Sequence, residues 1–240
     1  MLPLGTDPAT ARRALEGFRD GALADPARSM MGAAQERLVA QELTASVAAG
    51  TRWQVIGQGT ILGSLRSPPE VAGWVPADAS EFVRRRLAAG MAASAVGLPF
   101  NLDSWDGYPA ARKRLLASAA AANADLVVLA GDSHNAWAFD HMAGGQRVGV
   151  EFDGHSVTSP GYESYLPRAT EAQRTAALVR TNPELKWANT GDRGYMAVTL
   201  TKDRAETEWR FVDTIRTRTT RLKSTHRLAA RHGERRLESV

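Results

Sequence analysis

Residues 126–134, Leu-Val-Val-Leu-Ala-Gly-Asp-Ser-His, constrain the fold of this chain more than any other stretch. Five apolar residues are followed by Gly131 and then by Asp132 and His134, which flank a serine. A short apolar run that ends at a glycine is typical of a buried parallel strand, and α/β proteins place their chemistry just beyond the carboxyl ends of such strands. The stretch therefore predicts an α/β fold with functional residues at the end of a central strand.

Asp132 and His134 are the best candidates for metal ligands. They are separated by one residue, so in extended or tightly turned backbone both side chains can approach one ion. Aspartate supplies a hard oxygen ligand and histidine a nitrogen ligand. Taken alone, the pair is better described as a loop aspartate beside a hydrogen-bonded histidine. The strand before it and the polar residues after it favour the metal hypothesis.

Helical and strand-like patterns alternate along the chain, as in α/β proteins. Helices are predicted over about 8–24, 32–49, 109–123 and 170–180, with another beginning after Ser80 as N-cap. Strands are predicted over 52–58, 126–130, 147–152, 195–201 and 208–213, the last two as an antiparallel hairpin. No composition change marks a second domain, so we expect one domain over 1–215.

The positive charge is concentrated at the end of the chain. Residues 216–240 contain eight arginines and lysines and two glutamates, so this segment carries +6 although the whole chain carries only +4. Basic terminal segments bind nucleic acid in some proteins. Because 216–240 contains no aromatic residue that would stack on bases, nucleic-acid binding is not favoured. We expect a solvated basic tail or terminal helix.

Composition excludes several other classes of protein. The absence of cysteine excludes disulfides and thiolate ligands. No apolar run reaches the roughly 20 residues of a membrane span. Met1–Gly5 lacks the basic and apolar regions of a signal peptide, so we expect a cytoplasmic chain as written. The Gly-x-Ser-x-Gly, Walker, Gly-x-Gly-x-x-Gly and His-Glu-x-x-His motifs are absent, which leaves a metal-based centre as the candidate chemistry.

A second group of candidates precedes the helix predicted at 109–123. Trp105, Asp106 and Tyr108 lie in an irregular segment, and loops that border sheets carry many binding residues. These side chains either close over a substrate and order the site, or form the helix entry with Trp105 as a core residue. The sequence favours neither alternative.

Four further polar residues follow the Asp-Ser-His turn. Asn135 is a candidate for supporting the metal ligands, and His155, in a glycine-containing turn, is a candidate for substrate contact. Glu151 ends a strand beside 126–130, where it either hydrogen-bonds a ligand histidine or belongs to an ordinary structural pair. His141 is predicted to be a surface or capping residue.

The order of several short motifs resembles the alkaline phosphatase D family of metallophosphoesterases. The motifs span about residues 28–215 and are specific together rather than singly. They are Ser29–Gln35, Arg52–Gln58, Asp103–Ala110, Gly131–His134, Glu151–Phe152 with Ser156–Ser159, and Gly194–Tyr195.

This resemblance implies a calcineurin-like sandwich of two mixed sheets flanked by helices. It also implies hydrolysis of phosphate monoesters and diesters at a dinuclear metal centre, for which iron and calcium are the family's metals. It carries metal-ligand roles to Asp132 and His134, and it places Trp105, Asp106 and Tyr108 near the site without a chemical step. Members of the family are commonly exported.

The resemblance covers only the C-terminal half of the family's catalytic domain. Residues 1–100 lack the Asp-x-x-Asp-Tyr and Asp-His-Glu…Asn segments that supply most metal ligands in the family. We therefore expect an incomplete sandwich and a truncated chain with weak or no activity. The missing half is expected on a separate chain if activity is retained. The alternative is a non-catalytic remnant or subunit that binds such a partner.

Overall fold

Six α-helices and nine β-strands form the main framework of residues 7–240, the part of the chain that the computed structural model describes. The expectation about a signal peptide at Met1–Gly5 falls outside these residues. The helices are α1 Pro8–Phe18, α2 Ala33–Ala48, α3 Val71–Trp74, α4 Glu81–Ala95, α5 Pro109–Ala121 and α6 Glu171–Thr181. Short helical turns cover Arg19–Leu23, Trp105–Gly107 and Tyr162–Ser164.

The helix ends follow the capping residues that the sequence offers. The hydroxyl of Ser80 accepts the backbone N–H of Val83, which confirms the predicted start of α4. Thr170 and Gln173 form a reciprocal capping box at the start of α6. Within residues 7–240, none of the helices combines the length and the apolar character that crossing a bilayer requires.

The first sheet has five strands and is mixed. Its strands are β1 Gln54–Gly57, β2 Leu126–Ala130, β3 Ala136–Ala143, β4 Gln146–Asp153 and β5 Leu185–Asn189, and their spatial order is β1-β2-β4-β3-β5. Strands β1, β2 and β4 are parallel, whereas β3 is antiparallel to both of its neighbours. The prediction of a parallel strand inside the sheet at 126–130 is confirmed. Strands β3 and β5 were not predicted.

The second sheet is a four-stranded antiparallel meander. Its strands are β6 Gly194–Leu200, β7 Arg204–Val212, β8 Leu222–Arg231 and β9 Leu237–Ser239, in that spatial order. The predicted hairpin of β6 and β7 is confirmed. The expectation of two mixed sheets is wrong for this sheet, because successive strands here are joined by short reversals and all pair antiparallel.

The expectation of a solvated basic tail or helix at 216–240 is also wrong, because β8 pairs with β7 along nine residues. The carboxylates of neighbouring elements pair with the basic residues of this segment. Arg227 lies 2.6 Å from Glu208, and Lys223 lies 2.6 Å from Asp192. Four of the eight basic residues of 216–240 thus pair with carboxylates outside this segment: Arg221, Lys223, Arg227 and Arg235.

Helices cover one face of the first sheet, and the second sheet covers the other. Because side chains alternate along a strand, consecutive residues of β2 enter different cores. Leu126 and Val128 belong to an apolar cluster with Leu115 of α5. Val127 belongs to a cluster that contains Trp209 of β7. This burial on both faces explains why 126–130 is apolar throughout.

Candidate functional site

The candidate site lies just beyond the carboxyl ends of the parallel strands of the first sheet. The backbone N–H of Gln58, just after β1, donates to the Leu129 carbonyl at 3.0 Å. The N–H of Gly154, just after β4, donates to the Ala130 carbonyl at 2.8 Å. The turn at 131–134 therefore follows β2 between the ends of β1 and β4. In α/β proteins, ligands bind beyond the carboxyl ends of such strands.

Asp132 and His134 both have left-handed backbone conformations. Their φ angles are +63° and +62°. Few residues other than glycine adopt this conformation, and such strained positions concentrate at functional sites. Both side chains are exposed at the sheet edge rather than buried in either core. The tight turn therefore exposes a carboxylate and an imidazole beyond the carboxyl end of β2.

One ring nitrogen of His134 is already engaged. Its Nδ1 lies 2.9 Å from the carbonyl oxygen of Pro160. Because a carbonyl can only accept, Nδ1 carries the hydrogen and Nε2 keeps its lone pair. Metal-binding histidines commonly donate their second ring N–H to a carbonyl or carboxylate in this way. In the neutral ring this arrangement leaves Nε2 of His134 as a donor for a metal.

Asn135 and Ser133 hold the turn against neighbouring segments. The Asn135 amide donates to the Ser133 carbonyl at 2.6 Å and accepts the N–H of Tyr162 at 2.9 Å. The indole N–H of Trp137 donates to the Ser133 hydroxyl at 2.7 Å. A Cβ on Gly161 would come within 2.4 Å of the Asn135 oxygen, so this contact requires glycine. Asn135 thus ties the turn to the segment that carries Pro160.

Two cavities border Asp132. The larger has a volume of about 460 Å³ and lies between β1 and α2, with Ile56, Gln58 and Trp105 in its wall. The smaller has a volume of about 220 Å³ and is bordered by His134 as well. A ligand at Asp132 and His134 therefore has space on both sides of the turn.

The three residues before α5 occupy different environments. Trp105 is buried, borders the larger cavity and donates its indole N–H to the side-chain oxygen of Gln58 at 2.8 Å. Asp106 is buried and accepts the N–H of Leu65 at 2.9 Å, and burial raises its pKa to about 6. Tyr108 leads into α5, with the Arg28 guanidinium 5.0 Å from its ring centre. Trp105 borders a cavity, whereas Asp106 and Tyr108 support the surrounding loops.

Glu151 lies inside the fold, on the helix-covered face of the first sheet. Its carboxylate accepts the N–H groups of Leu62 and Gly63 at 2.7 and 2.6 Å, and one oxygen lies 3.0 Å from Nε2 of His141. Both side chains of this pair are completely buried. Of the two alternatives for Glu151, the structure forms the pair with His141 and leaves His134 bonded to Pro160.

The prediction that His141 is a surface or capping residue is wrong. His141 lies in β3, which was not predicted, and its side chain faces the core beside Phe139. Its Nδ1 lies 3.3 Å from the guanidinium of Arg112. The polar residues Asp140 and His141 argued against a buried strand. Their partners lie in other segments, so the sequence of this segment alone could not show that they are buried.

Asp153 is a buried acid that the sequence did not single out. It ends β4 opposite Ala130, its side chain is completely buried, and neither carboxyl oxygen has a hydrogen-bond partner within residues 7–240. Burial, and then the negative charge of Glu151, raise its pKa well above the ordinary value. An aspartate directly after the strand predicted over 147–152 was the available signal.

His155 lies two residues after the end of β4, between the two sheets. It is buried against Phe211, with ring centres 4.7 Å apart, and neither ring nitrogen has a partner among the described residues. Burial, and then the positive charge of Arg193, lower its pKa to about 4. His155 borders neither of the two cavities, so its expected contact with substrate stays a prediction.

This pKa predicts a pH-dependent stability. Unfolded histidine titrates near 6.5, whereas folded His155 stays neutral down to about 4. The unfolded state therefore binds the proton first, and the contribution of His155 is full above pH 6.5 and lost as the pH falls towards 4. We expect wild type to lose about 2 kcal/mol more than His155→Leu between pH 7.5 and pH 4.

Urea denaturation at several pH values measures this difference. Leu228→Ala is the control, because it perturbs the same core without removing a titrating group and should lower stability equally at every pH. Parallel pH profiles for wild type and His155→Leu would contradict the assignment of a lowered pKa to His155.

The fold and the site together define an α/β protein whose polar residues gather beyond the ends of parallel strands. A family model described as PhoD-like phosphatase matches residues 7–209. The chain belongs to the PhoD-like phosphatase family. This confirms the family that the motif order indicated.

Two relatives show how much of a family member this chain represents. It is 28% identical over 194 residues to a protein named alkaline phosphatase D from Bacillus subtilis (strain 168), which covers 78% of this chain but 27% of that protein. A solved structure described as the structure of PhoD aligns with a TM-score of 0.65 and 21% identity, covering 90% of this chain and 36% of the other. The structural likeness concerns the fold.

Asp132 and His134 carry donor atoms of the kinds that metal ions bind. The Asp132 carboxylate is an oxygen donor that both calcium and iron accept, whereas the His134 imidazole is a nitrogen donor suited to iron. No group of three or more histidine, aspartate or glutamate side chains within residues 7–240 is arranged to hold a metal ion. Catalytic metals usually take about three protein ligands. Asp132 and His134 would supply two of these ligands.

Proposed function

We propose that this chain acts in the hydrolysis of phosphate monoesters and diesters, and that Asp132 and His134 are two ligands of the metal centre involved. The hydrogen bond from His134 Nδ1 to the Pro160 carbonyl carries this proposal, because it leaves Nε2 available as a donor. Membership of the PhoD-like phosphatase family supports the reaction class. A metal centre of this kind polarises the phosphoryl group and supplies a hydroxide near neutral pH.

We propose that polypeptide outside residues 7–240 supplies further metal ligands. The structure offers a place for it at the free edge of β1, where Val55 is 43% exposed. The larger cavity lies beside this edge, and Met30 and Ile56 give it an apolar wall. Unpaired strand edges and apolar surfaces are where further strands pair. Such polypeptide would approach Asp132 from the side of β1.

Metal binding by the purified 240-residue chain tests the ligand assignment. We expect weak binding of Ca²⁺ and Fe³⁺, about a tenfold or greater loss of Fe³⁺ affinity in Asp132→Asn and in His134→Asn, and a comparable loss of Ca²⁺ affinity in Asp132→Asn alone. Asparagine is chosen because it tolerates the left-handed backbone at both positions, so the fold is retained. Equilibrium dialysis followed by mass spectrometry of the metals measures the binding.

Asp78→Ala is the matched control, since Asp78 is an exposed carboxylate in a loop outside both cavities. It should bind both metals as wild type does. Turnover of bis(4-nitrophenyl) phosphate is assayed in parallel with both metals. Metal binding that is absent in wild type, or equal in wild type and both asparagine variants, would overturn the assignment of the ligands.

A further inference from the structure

The smaller cavity beside His134 has an apolar interior and a polar mouth. Its volume is about 220 Å³. For comparison, an apolar cavity of about 150 Å³ accepts a benzene ring. The cavity can therefore hold one six-membered ring with a few attached atoms. The interior wall consists of Ile61, Leu65, Phe100, Trp137, Tyr162 and Leu178.

Aromatic side chains give this cavity a defined shape. Phe100 and Tyr162 meet edge to face, with ring centres 5.5 Å apart and planes at 78°. Trp137 is held in place by its hydrogen bond to Ser133, so the same residue lines the cavity and braces the Asp132–His134 turn. Flat rings pack well against edges and faces of this kind.

The hydroxyl of Tyr162 is an unsatisfied polar group in this wall. The residue is 6% exposed, and its hydroxyl has no hydrogen-bond partner within residues 7–240, although Ser67 is close by. Buried hydroxyl groups in folded proteins are nearly always hydrogen-bonded to protein, water or ligand. A ligand atom that accepts a hydrogen bond would satisfy Tyr162.

The mouth of the cavity carries positive charge. Arg66 and Arg86 border it, and among the described residues neither guanidinium forms an ion pair with a carboxylate. Arg66 is held through its backbone, which exchanges two hydrogen bonds with the side chain of Asn182. The Arg86 guanidinium lies 5.8 Å from the ring centre of Tyr165. Unpaired arginines at a mouth of this kind attract anions such as phosphate esters.

We propose that this cavity binds the aromatic substituent of a phosphate ester whose phosphoryl group lies at Asp132 and His134. Tyr162 donates a hydrogen bond to an acceptor on the ring, and Arg66 and Arg86 favour the anion. This inference rests on the proposed function, because it takes the phosphoryl position from that site. The substrate class is an aryl phosphate ester.

Binding of three phosphate esters in the presence of EDTA tests the proposal without turnover. Methyl phosphate, phenyl phosphate and 4-nitrophenyl phosphate are titrated into ¹⁵N-labelled chain, and the indole N–H signal of Trp137 is followed by NMR. We expect phenyl phosphate to bind at least about tenfold more tightly than methyl phosphate, because the ring leaves water. The Trp137 signal should shift with both aryl esters.

Tyr162→Phe separates the hydroxyl from the ring. We expect it to weaken binding of 4-nitrophenyl phosphate, whose nitro group is an acceptor, about fivefold or more and to leave phenyl phosphate within about twofold. Tyr195→Phe is the matched control, because Tyr195 is exposed on β6 and lies outside both cavities, and it should change neither affinity.

Equal affinity for methyl and phenyl phosphate, or a Trp137 signal that does not move, would overturn the cavity assignment. Equal loss of both aryl esters in Tyr162→Phe would overturn the role of the hydroxyl. Metal binding and hydrolysis report on the proposed function independently. An aryl preference in a chain that binds no metal would therefore support the ring pocket, while the phosphoryl position at Asp132 and His134 and the proposed function would fail.

Discussion

Glu151→Ala is expected to lower the free energy of unfolding by about 3–5 kcal/mol, because it removes one member of a buried polar network and leaves the others without partners. The Glu151 carboxylate accepts the N–H groups of Leu62 and Gly63 and contacts His141 in the core. Alanine satisfies none of these groups. Since domains of this size are stable by roughly 5–15 kcal/mol, the loss is a large share of the total.

Chemical denaturation measures this effect, and Glu234→Ala is its control. Glu234 pairs with Arg236 on the surface, where both side chains are about half exposed, so its removal should cost less than about 1 kcal/mol. Hydrogen exchange gives a local readout, because the amides of Leu62 and Gly63 should exchange faster in Glu151→Ala before global unfolding. A loss of stability no larger than that of Glu234→Ala would show that Glu151 is not essential to this core.

Trp209→Ala is the second large effect, again about 3–5 kcal/mol of unfolding free energy. Trp209 is completely buried between the two sheets, with its ring centre 4.6 Å from that of Trp187. Its indole N–H donates to the carbonyl of Asp153 at 2.8 Å. Alanine at this position therefore leaves a cavity and also an unsatisfied carbonyl at the end of β4.

Two further variants locate the origin of this effect. Trp209→Phe keeps most of the ring and loses the hydrogen bond, so it should cost less than Trp209→Ala. Leu200→Ala changes a residue of the same sheet that is 43% exposed, and should lie within about 0.5 kcal/mol of wild type. If Trp209→Ala were as mild as Leu200→Ala, the second sheet would not be an integral layer of the fold.

The second sheet is also fastened to the first at its far end. The carboxylate of Asp125, just before β2, accepts the N–H of Gly233 at 2.6 Å and contacts the guanidinium of Arg235 at 2.5 Å. Both partners lie in the loop between β8 and β9, within the segment expected to be a tail. Residues that are far apart in sequence therefore share the buried and ion-paired positions that hold the layers together.

The two cavities lie on either side of the proposed site. The larger one is lined by Ile56, Gly57 and Gln58, at the carboxyl end of β1. The smaller one borders His134 and provides an aromatic pocket for the ester substituent. Asp132 borders both, so the Asp-Ser-His turn lies where the metal side and the substituent side of the proposed site meet.

The sequence by itself predicted the elements whose patterns are local. The apolar run of β2, the N-cap of α4 and the alternation of β6 and β7 depend on neighbouring residues, and all three elements are confirmed. The place of Asp132 and His134 at the end of β2 is predictable for the same reason. Motif order likewise indicated the family, because it compares positions along the chain rather than contacts in space.

Only the tertiary structure decided the features that depend on distant partners. The basic residues of β8 predicted a solvated tail, because the carboxylates that pair with Lys223 and Arg227 lie in other parts of the chain. The polar pattern of β3 concealed a strand because His141 finds Glu151 across the sheet. The smaller cavity is assembled from several segments with no common periodicity. In each case the free energy of a side chain depends on which groups surround it, and folding brings those groups from distant positions in the sequence.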